Sequence, residues 1–241
     1  MDAKNKKVLF LHGFTQNSFV LQKRLKVVTK TLKQNLPSIE FLFPDAPFIL
    51  EETTTTSQEE VKRGWLYLNA EDKMNSDDFS TKSEVAYNGF TTSVNYLIDL
   101  AGLNPDIECI FGFSQGALIT IFLSALIHNG SIANVFPNLK CIVLVSGFIY
   151  PFSKNEELEF YLQTFKNCYD DTSLIKSDEK IKIPVLNVFG ECDEFIVPAK
   201  SEKVKYFYEN CENYVHKGKH FIPTSKEDIE VFMIFLKKYL S

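Results

Sequence analysis

Residues 109–127 read Cys109-Ile110-Phe111-Gly112-Phe113-Ser114-Gln115-Gly116-Ala117-Leu118-Ile119-Thr120-Ile121-Phe122-Leu123-Ser124-Ala125-Leu126-Ile127. The first five form an apolar run without polar alternation, as expected of a strand buried on both faces. From Ala117 onward the chain is apolar nearly all round, which predicts a deeply packed helix. Between the two stands Gly112-Phe113-Ser114-Gln115-Gly116. A serine on a sharp turn from strand to helix is pushed into the open, and glycines two positions to either side leave room for strand and helix to approach. The helix beginning there aims N–H groups and the positive end of its dipole at any anion beside the serine. A bare G-x-S-x-G is weak, because ordinary turns also contain it. Its place between strand and helix makes Ser114 the candidate nucleophile.

Working outward, short β-rich runs alternate with helical patterns. Val8 to Leu11, Ile39 to Phe43, Cys109 to Phe113, Cys141 to Val145, Val185 to Phe189 and Asn213 to Val215 are predicted strands. Phe19 to Leu36, Val85 to Ala101, Ala117 to Asn129, Ser201 to Tyr208 and Lys226 to Tyr239 are predicted helices; in the last, Ile229, Phe232, Met233, Leu236 and Leu240 make one apolar face. Such alternation implies a three-layer α/β domain with a mostly parallel central sheet, helices on both faces and right-handed crossovers. No repeat or interdomain linker interrupts it, so residues 1–241 are expected to form one domain.

A serine at its free pKa needs an imidazole base, itself oriented by a carboxylate. The chain has 4 histidines. His12 follows the first strand and His128 ends the crossover helix. His216 ends the last strand, and His220 lies in the loop Lys217-Gly218-Lys219-His220-Phe221 before the last helix. In a doubly wound sheet that loop lies at the carboxyl edge, where ligands bind, as does the serine turn. His220 is therefore the expected base, with His216 its competitor. The acid should lie between Ser114 and His220 in the chain, at a strand end. Gly190-Glu191-Cys192-Asp193-Glu194 fits, with Asp193 best placed and Glu191 and Glu194 close rivals. The second half of an oxyanion hole is expected after the first strand, in Leu11-His12-Gly13-Phe14-Thr15-Gln16-Asn17. Gly13 would let the Phe14 N–H point beside the Gln115 N–H. Glycine is scarce, with 10 in the chain, yet Gly13, Gly112, Gly116, Gly147, Gly190 and Gly218 all fall at predicted strand ends.

Composition narrows the function classes. The 241 residues are 45% apolar and 24% charged, as in an ordinary globular protein, with a net charge of -5 that offers no overall footprint for nucleic acid. The 5 cysteines, Cys109, Cys141, Cys168, Cys192 and Cys211, are odd in number and without a C-x-x-C pair, against a disulfide framework or zinc ribbon. His216 and His220 have metal-ligand spacing, but Gly218 and the non-helical context separate them, so no metal and no cofactor are expected. Met1 to Lys7 passes directly into Val8-Leu9-Phe10-Leu11, too short for a signal-peptide core, and no apolar run reaches the ~20 residues of a membrane span. The expectation is a cytoplasmic protein without an integral membrane segment. The sequon at Asn129 then has no glycosylation to report.

Glu51 to Ser83 breaks the rhythm: it holds Thr53-Thr54-Thr55-Thr56, much charge and one apolar cluster, Trp65-Leu66-Tyr67-Leu68. Loops this long are usually functional or mobile. The insertion is either a solvated excursion or a partial lid. Trp65 is expected to line an acyl-binding cleft, packing against the domain being the alternative. Ser153 to Lys182 could form another edge of the cleft.

Taken in order, Leu11 to Asn17, Asp45-Ala46-Pro47, Arg63-Gly64-Trp65, Gly112 to Gly116, Gly190 with Asp193 and Val197-Pro198, and Gly218 to Pro223 resemble the FSH family of serine hydrolases, α/β-hydrolases that include yeast and fungal enzymes and animal ovarian-cancer-associated protein 2. The resemblance runs along almost the whole chain. It implies an α/β-hydrolase fold and a carboxylic-ester hydrolase with Ser114, Asp193 and His220 as triad, acting on a small-molecule acyl ester or thioester. Where the family commonly has Gly-Gly-His, this chain has Gly218-Lys219-His220, which adds a cation near the site. An acyl-protein thioesterase or lysophospholipase-like carboxylesterase is the alternative enzyme, and a catalytically silent binding module the alternative of another class.

Overall fold

The computed structural model describes residues 6–50, 57, 60–68, 87–149 and 180–241. Most of the 51–83 insertion, the second irregular stretch and Cys168 lie outside them. The described strands are β1 (Lys6–Leu11), β2 (Ile39–Leu42), β3 (Phe48–Ile49), β4 (Arg63–Gly64), β5 (Tyr67–Leu68), β6 (Tyr87–Asn88), β7 (Ile107–Phe113), β8 (Cys141–Val145), β9 (Val185–Gly190) and β10 (Cys211–His216). The α-helices are α1 (Ser18–Arg24), α2 (Lys26–Asn35), α3 (Phe90–Leu103), α4 (Gln115–His128), α5 (Pro198–Lys203) and α6 (Lys226–Leu240).

Six strands form one sheet in the order β10-β9-β8-β7-β1-β2, every neighbouring pair parallel. These are the six predicted from short β-rich runs. Two short antiparallel pairs, β3 with β4 and β5 with β6, stand outside the sheet.

Side-chain alternation along the strands divides the core in two. Leu9, Leu11, Ile110, Ile142 and Leu144 face α3, α4 and the region after α5. Val8, Phe10, Phe111, Val143 and Val145 face α1, α2 and α6. Helices therefore cover both faces, and the central strands are apolar along most of their length because neither face meets water there. α4 is buried at every residue from Gln115 to Leu126, which accounts for its lack of a polar side. α6 begins with a reciprocal capping box: the Asp228 N–H donates to Ser225 Oγ and the Ser225 N–H to the Asp228 carboxylate. Its buried Phe232, Met233, Phe235, Leu236 and Leu240 each contribute about 1.5–3 kcal/mol before ordering entropy is subtracted.

Three helix boundaries differ from expectation. The helix predicted over Phe19 to Leu36 bends at Leu25 (φ -88°, ψ 3°), although the ladder continues through Leu25 N–H to Leu21 O at 2.9 Å and Thr29 N–H to Leu25 O at 2.8 Å. The one predicted from Val85 begins at Phe90, because Gly89 (φ +83°) turns left-handed and Tyr87–Asn88 pairs with Tyr67–Leu68. The one predicted from Ser201 begins at Pro198 in the first-turn position that suits proline, and tightens to a 3₁₀ turn over Val204–Phe207. Among the described residues, no helix is long and apolar enough to cross a membrane.

The chain starts in β1, moves outward to β2, then returns to β7 on β1's other side. The direction of winding thus reverses between β1 and β7, leaving a crevice at their carboxyl ends, where ligands bind in open α/β sheets. Two glycines close-pack its floor. A Cβ at Gly116 would lie 2.2 Å from Leu11 O, and one at Gly112 would lie 2.5 Å from Gly116 O. Gly116→Ala is expected to lower stability by about 3 kcal/mol, since backbone on both sides must shift. Gly102→Ala, in α3 with nothing within 4 Å, should raise it by about 0.5–1 kcal/mol. Urea unfolding at neutral pH checks both, and equal effects at the two sites would contradict the packing argument.

Candidate active site

Ser114 sits at the top of β7 with φ 53° and ψ -114°, a strained conformation for a residue with a side chain. Its N–H donates to Val145 O at 2.9 Å, extending the sheet by one bond, while α4 begins at the next residue. Strand and helix together hold the strain and present the hydroxyl at the crevice.

From the far side, His220 Nε2 lies 2.9 Å from Ser114 Oγ and His220 Nδ1 lies 2.7 Å from Asp193 Oδ2. Asp193 is buried. Burial pushes its carboxyl up, but hydrogen bonds from His220 and the Ile196 N–H, the nearby imidazole charge and the Ser146 hydroxyl outweigh that and hold it below the ordinary carboxylate value. An ionised Asp193 only accepts, so Nδ1 of His220 carries the proton and Nε2 accepts from the serine hydroxyl. The imidazole is thereby oriented to take a proton from Ser114.

The acid is held by more than its histidine. Oδ1 accepts the N–H groups of Phe195 at 3.0 Å and Ile196 at 2.9 Å; Oδ2 also accepts Ser146 Oγ at 3.1 Å. Ser146, at the end of β8, is itself at positive φ (51°) and fully buried. Its signal in the sequence was only a serine one step past a strand. The acid loop and the histidine loop touch through backbone: the Cys192 N–H donates to Gly218 O at 3.0 Å, and a Cβ at Gly190 would lie 2.4 Å from that oxygen.

The rival residues lie elsewhere. Glu194 pairs with Lys219 at 2.9 Å on the surface, so the cation in Gly218-Lys219-His220 is neutralised there. Glu191 is exposed. His216 accepts the Gly218 N–H at 3.2 Å and packs its ring on Phe221, and His128 is at the far end of α4, about 20 Å of helix from the serine.

On the β1 side, Gly13 packs against Ser114, where an added Cβ would lie 3.3 Å from the serine Cβ. In this loop the Gly13 N–H donates to Gln16 Oε1, the Thr15 N–H to Arg63 O and the Gln16 N–H to Gly13 O. Among the described residues, the Phe14 N–H is left without a protein acceptor. His12 fastens the loop from beneath: Nδ1 donates to Gly13 O at 2.8 Å and Nε2 accepts the Ala46 N–H at 3.0 Å. Asn17 Oδ1 caps α1 through the Val20 N–H, Asp45 Oδ1 accepts the Ser18 N–H at 2.7 Å, and Arg63 reaches both the Ala46 carbonyl at 2.9 Å and Asp45 at 3.6 Å. The separated sequence motifs around His12, Asp45 and Arg63 are thus one hydrogen-bonded unit.

Trp65 belongs to the same unit, which corrects the expectation that it lines a cleft. It is 0% exposed in the larger apolar core, its indole N–H donating to His12 O at 2.9 Å. A tryptophan with a polar end is best buried where that end finds an acceptor, and the carbonyl at the end of β1 supplies it. Among the described residues, aromatic side chains that reach the surface on the loops around the serine include Phe195, 69% exposed with its ring 5.5 Å from that of His220, and Phe14. Neither ring was singled out from the sequence, where Phe14 is a lone apolar residue in a loop and Phe195 opens the short run Phe195-Ile196-Val197.

A parallel sheet with a strand-to-helix serine turn at its point of reversal is the architecture of the α/β-hydrolases. The chain belongs to the family described as Serine hydrolase (FSH1), which it matches over residues 1–232, and is a serine hydrolase. Curated relatives include Esterase OVCA2 of Xenopus tropicalis, 27% identical over 239 residues and covering 98% of this chain and 94% of that protein. Esterase OVCA2 of Danio rerio is 26% identical over 250 residues, covering 99% and 100%. In fold the chain is similar to Zea mays acyl-protein thioesterase 2, with a TM-score of 0.63 at 18% identity over 100% of this chain and 96% of that one. Esterase PE8 gives 0.60 at 18% identity over 99% and 94%.

His12 makes the site's support sensitive to acid. Burial lowers its pKa to about 4, against raising contributions from the Gly13 bond and Asp45, with Arg63 adding to the fall. Between pH 4 and the ~6.5 of an unfolded histidine, the unfolded chain binds the extra proton. Stability is therefore complete above pH 6.5 and is lost as pH falls toward 4. From pH 7 to 5 the His12 contribution should fall by about 2 kcal/mol. Urea unfolding of the wild type and His12→Gln at the two pH values checks this: the wild type should lose about that much more than the variant, and parallel losses would contradict it.

Proposed function

We propose that the chain hydrolyses apolar carboxylic esters through an acyl-enzyme, with Ser114 as nucleophile, His220 as general base and then acid, and Asp193 as the carboxylate that orients the imidazole. The observation that carries this is the His220 ring spanning Ser114 Oγ at 2.9 Å and Asp193 Oδ2 at 2.7 Å. Ser114 Oγ attacks the ester carbonyl while its proton passes to His220 Nε2. The tetrahedral oxyanion is received by the N–H groups of Phe14 and Gln115, and the base of α4 adds its dipole. His220 then protonates the departing alkoxide; a water loses its proton to His220 and attacks the acyl carbonyl, the bond from the acyl carbon to Ser114 Oγ breaks as His220 returns that proton to the serine, and the acid is released. The same steps cleave an acyl thioester, with a thiol leaving in place of an alcohol. No cofactor takes part, residues 1–241 act as one domain, and the site of action is cytoplasmic.

An apolar leaving group is favoured by Phe195. His220 must stand beside the leaving oxygen to protonate it, and the exposed Phe195 ring is the next surface beyond the imidazole.

Ser114→Ala and His220→Ala should each leave a folded protein with kcat lowered by about 10⁴–10⁶, and the double variant should lose little more, because members of a triad act as a unit. Asp193→Asn should lose about 10³–10⁴, and Glu191→Gln and Glu194→Gln far less. Hydrolysis of p-nitrophenyl esters and an acyl thioester, with fluorophosphonate labelling, measures these effects. Labelling retained in Ser114→Ala would sink the nucleophile assignment. Across esters of one acid, Phe195→Ala should lower kcat/KM about tenfold more for a bulky apolar alcohol than for methanol. A uniform loss would remove Phe195 from the leaving-group side.

A further inference from the structure

Gln115 supplies more than a main-chain N–H. Its side chain is buried and engaged at both ends: Oε1 accepts the Trp65 N–H at 2.7 Å, and Nε2 donates to Leu66 O at 2.9 Å. The amide thus pairs with residues 65–66 as a peptide group pairs with a neighbouring strand. That stretch is fixed independently, by the Ser93 hydroxyl of α3 donating to Trp65 O and by the Trp65 indole donating to His12 O. Just before it, Arg63 forms a bridge with the β1 loop, where the Thr15 N–H donates to Arg63 O at 2.9 Å and the Arg63 N–H to Gln16 O at 3.1 Å.

These bonds close a circuit. The Phe14 N–H is carried by a loop paired to Arg63. The Gln115 N–H is carried by the first residue of α4, whose side chain is paired to Trp65 and Leu66. The two donors belong to different elements, and residues 63–66 tie them together. The peptide between Ser114 and Gln115 follows a strained residue and would rotate toward a more relaxed orientation if released. An oxyanion hole needs both N–H groups within a few tenths of an ångström of the developing charge, a condition that covalent connectivity alone does not secure.

We propose that the Gln115 side-chain amide is a positioning residue that sets the oxyanion hole, using backbone 63–66 as the common reference for its two halves. The proposal rests on the acyl-enzyme reading above. It assigns the described base of the 51–83 insertion a fixed role in transition-state binding, because the ground-state ester makes little use of the hole and the tetrahedral oxyanion depends on it.

The test is Gln115→Met, close in volume but unable to pair with the 65–66 backbone, assayed well below its own Tm. kcat should fall about 10²-fold with KM within about threefold of wild type, and the Ki of a trifluoromethyl ketone, which forms an oxyanion on the serine, should rise in parallel with the loss in kcat/KM. A lower Tm with kcat and Ki unchanged overturns the proposal. Trp65→Phe, which removes the bond to His12 O and part of the buried ring while leaving the 65–66 backbone in place, should raise the same Ki about tenfold with little change in KM; it decides the question if Gln115→Met does not fold, an unchanged Ki then overturning the proposal. Ser114→Ala run beside them separates the two levels: full activity in that variant overturns the acyl-enzyme reading, whereas inactivity there with normal kcat and Ki in the Gln115 and Trp65 variants overturns only this one.

Discussion

The contact on which the rest depends is the approach of the first turn of α4 to the end of β1. With no side chain at Gly116, helix backbone lies against the Leu11 and His12 carbonyls, and with none at Gly112, the strand leading to Ser114 lies against the same turn. This close packing makes Ser114 adopt its strained turn, sets Gly13 against the serine, and leaves the elbow and the β1 loop facing one crevice. It also demands that α4 run through the middle of a layer, which is why twelve consecutive residues from Gln115 to Leu126 are buried. Packing here sets the geometry of the site: the same absence of two methyl groups that lets helix meet strand brings the loop after β1 against Ser114.

Around that contact the site is built from buried polar groups, each with its partner in place. His12, Gln115, Ser93, Ser146 and Asp193 are all nearly inaccessible and all hydrogen-bonded. Leaving such a group unpaired costs about 1–3 kcal/mol, so satisfied networks of this kind resist rearrangement. The arrangement is two-sided. β1, residues 45–46 and residues 63–66 fix the β1 loop, and β8, the turn after β9 and the loop after β10 fix the carboxylate and imidazole. Ser114 stands where the two halves meet.

Much of this was legible in the sequence, and the part that was not has a common cause. The inner strands showed as largely apolar runs because both sheet faces are covered there, whereas β10 at the edge showed only as a short β-rich stretch; the serine turn, Asp193 and His220 could be picked out because each follows a strand end. The kink at Leu25 has no glycine or proline to announce it. Gly89, which starts α3 late, is an isolated glycine whose left-handed turn is decided by a tertiary pairing of residues 87–88 with 67–68. Trp65 was misread for a related reason. An apolar cluster in a polar insertion must be buried against something, but its partner, the carbonyl of His12, lies 53 residues away in the chain. Ser146 and the Gln115 amide likewise act through contacts across the fold, for which local pattern holds no signal.

The pairing of Tyr67–Leu68 with Tyr87–Asn88 has a consequence for how this chain tolerates change. The ribbon clasps residues 69–86 at their base, after the last residue that bonds to Gln115 and before the helix that carries Ser93. Closure entropy grows only with the logarithm of loop length, about 0.6 kcal/mol for each doubling, so length and composition in the interval are nearly free variables. Insertions and deletions between the two strands of the ribbon can therefore accumulate without reaching the bonds that Trp65 and Leu66 make to Gln115 beside Ser114.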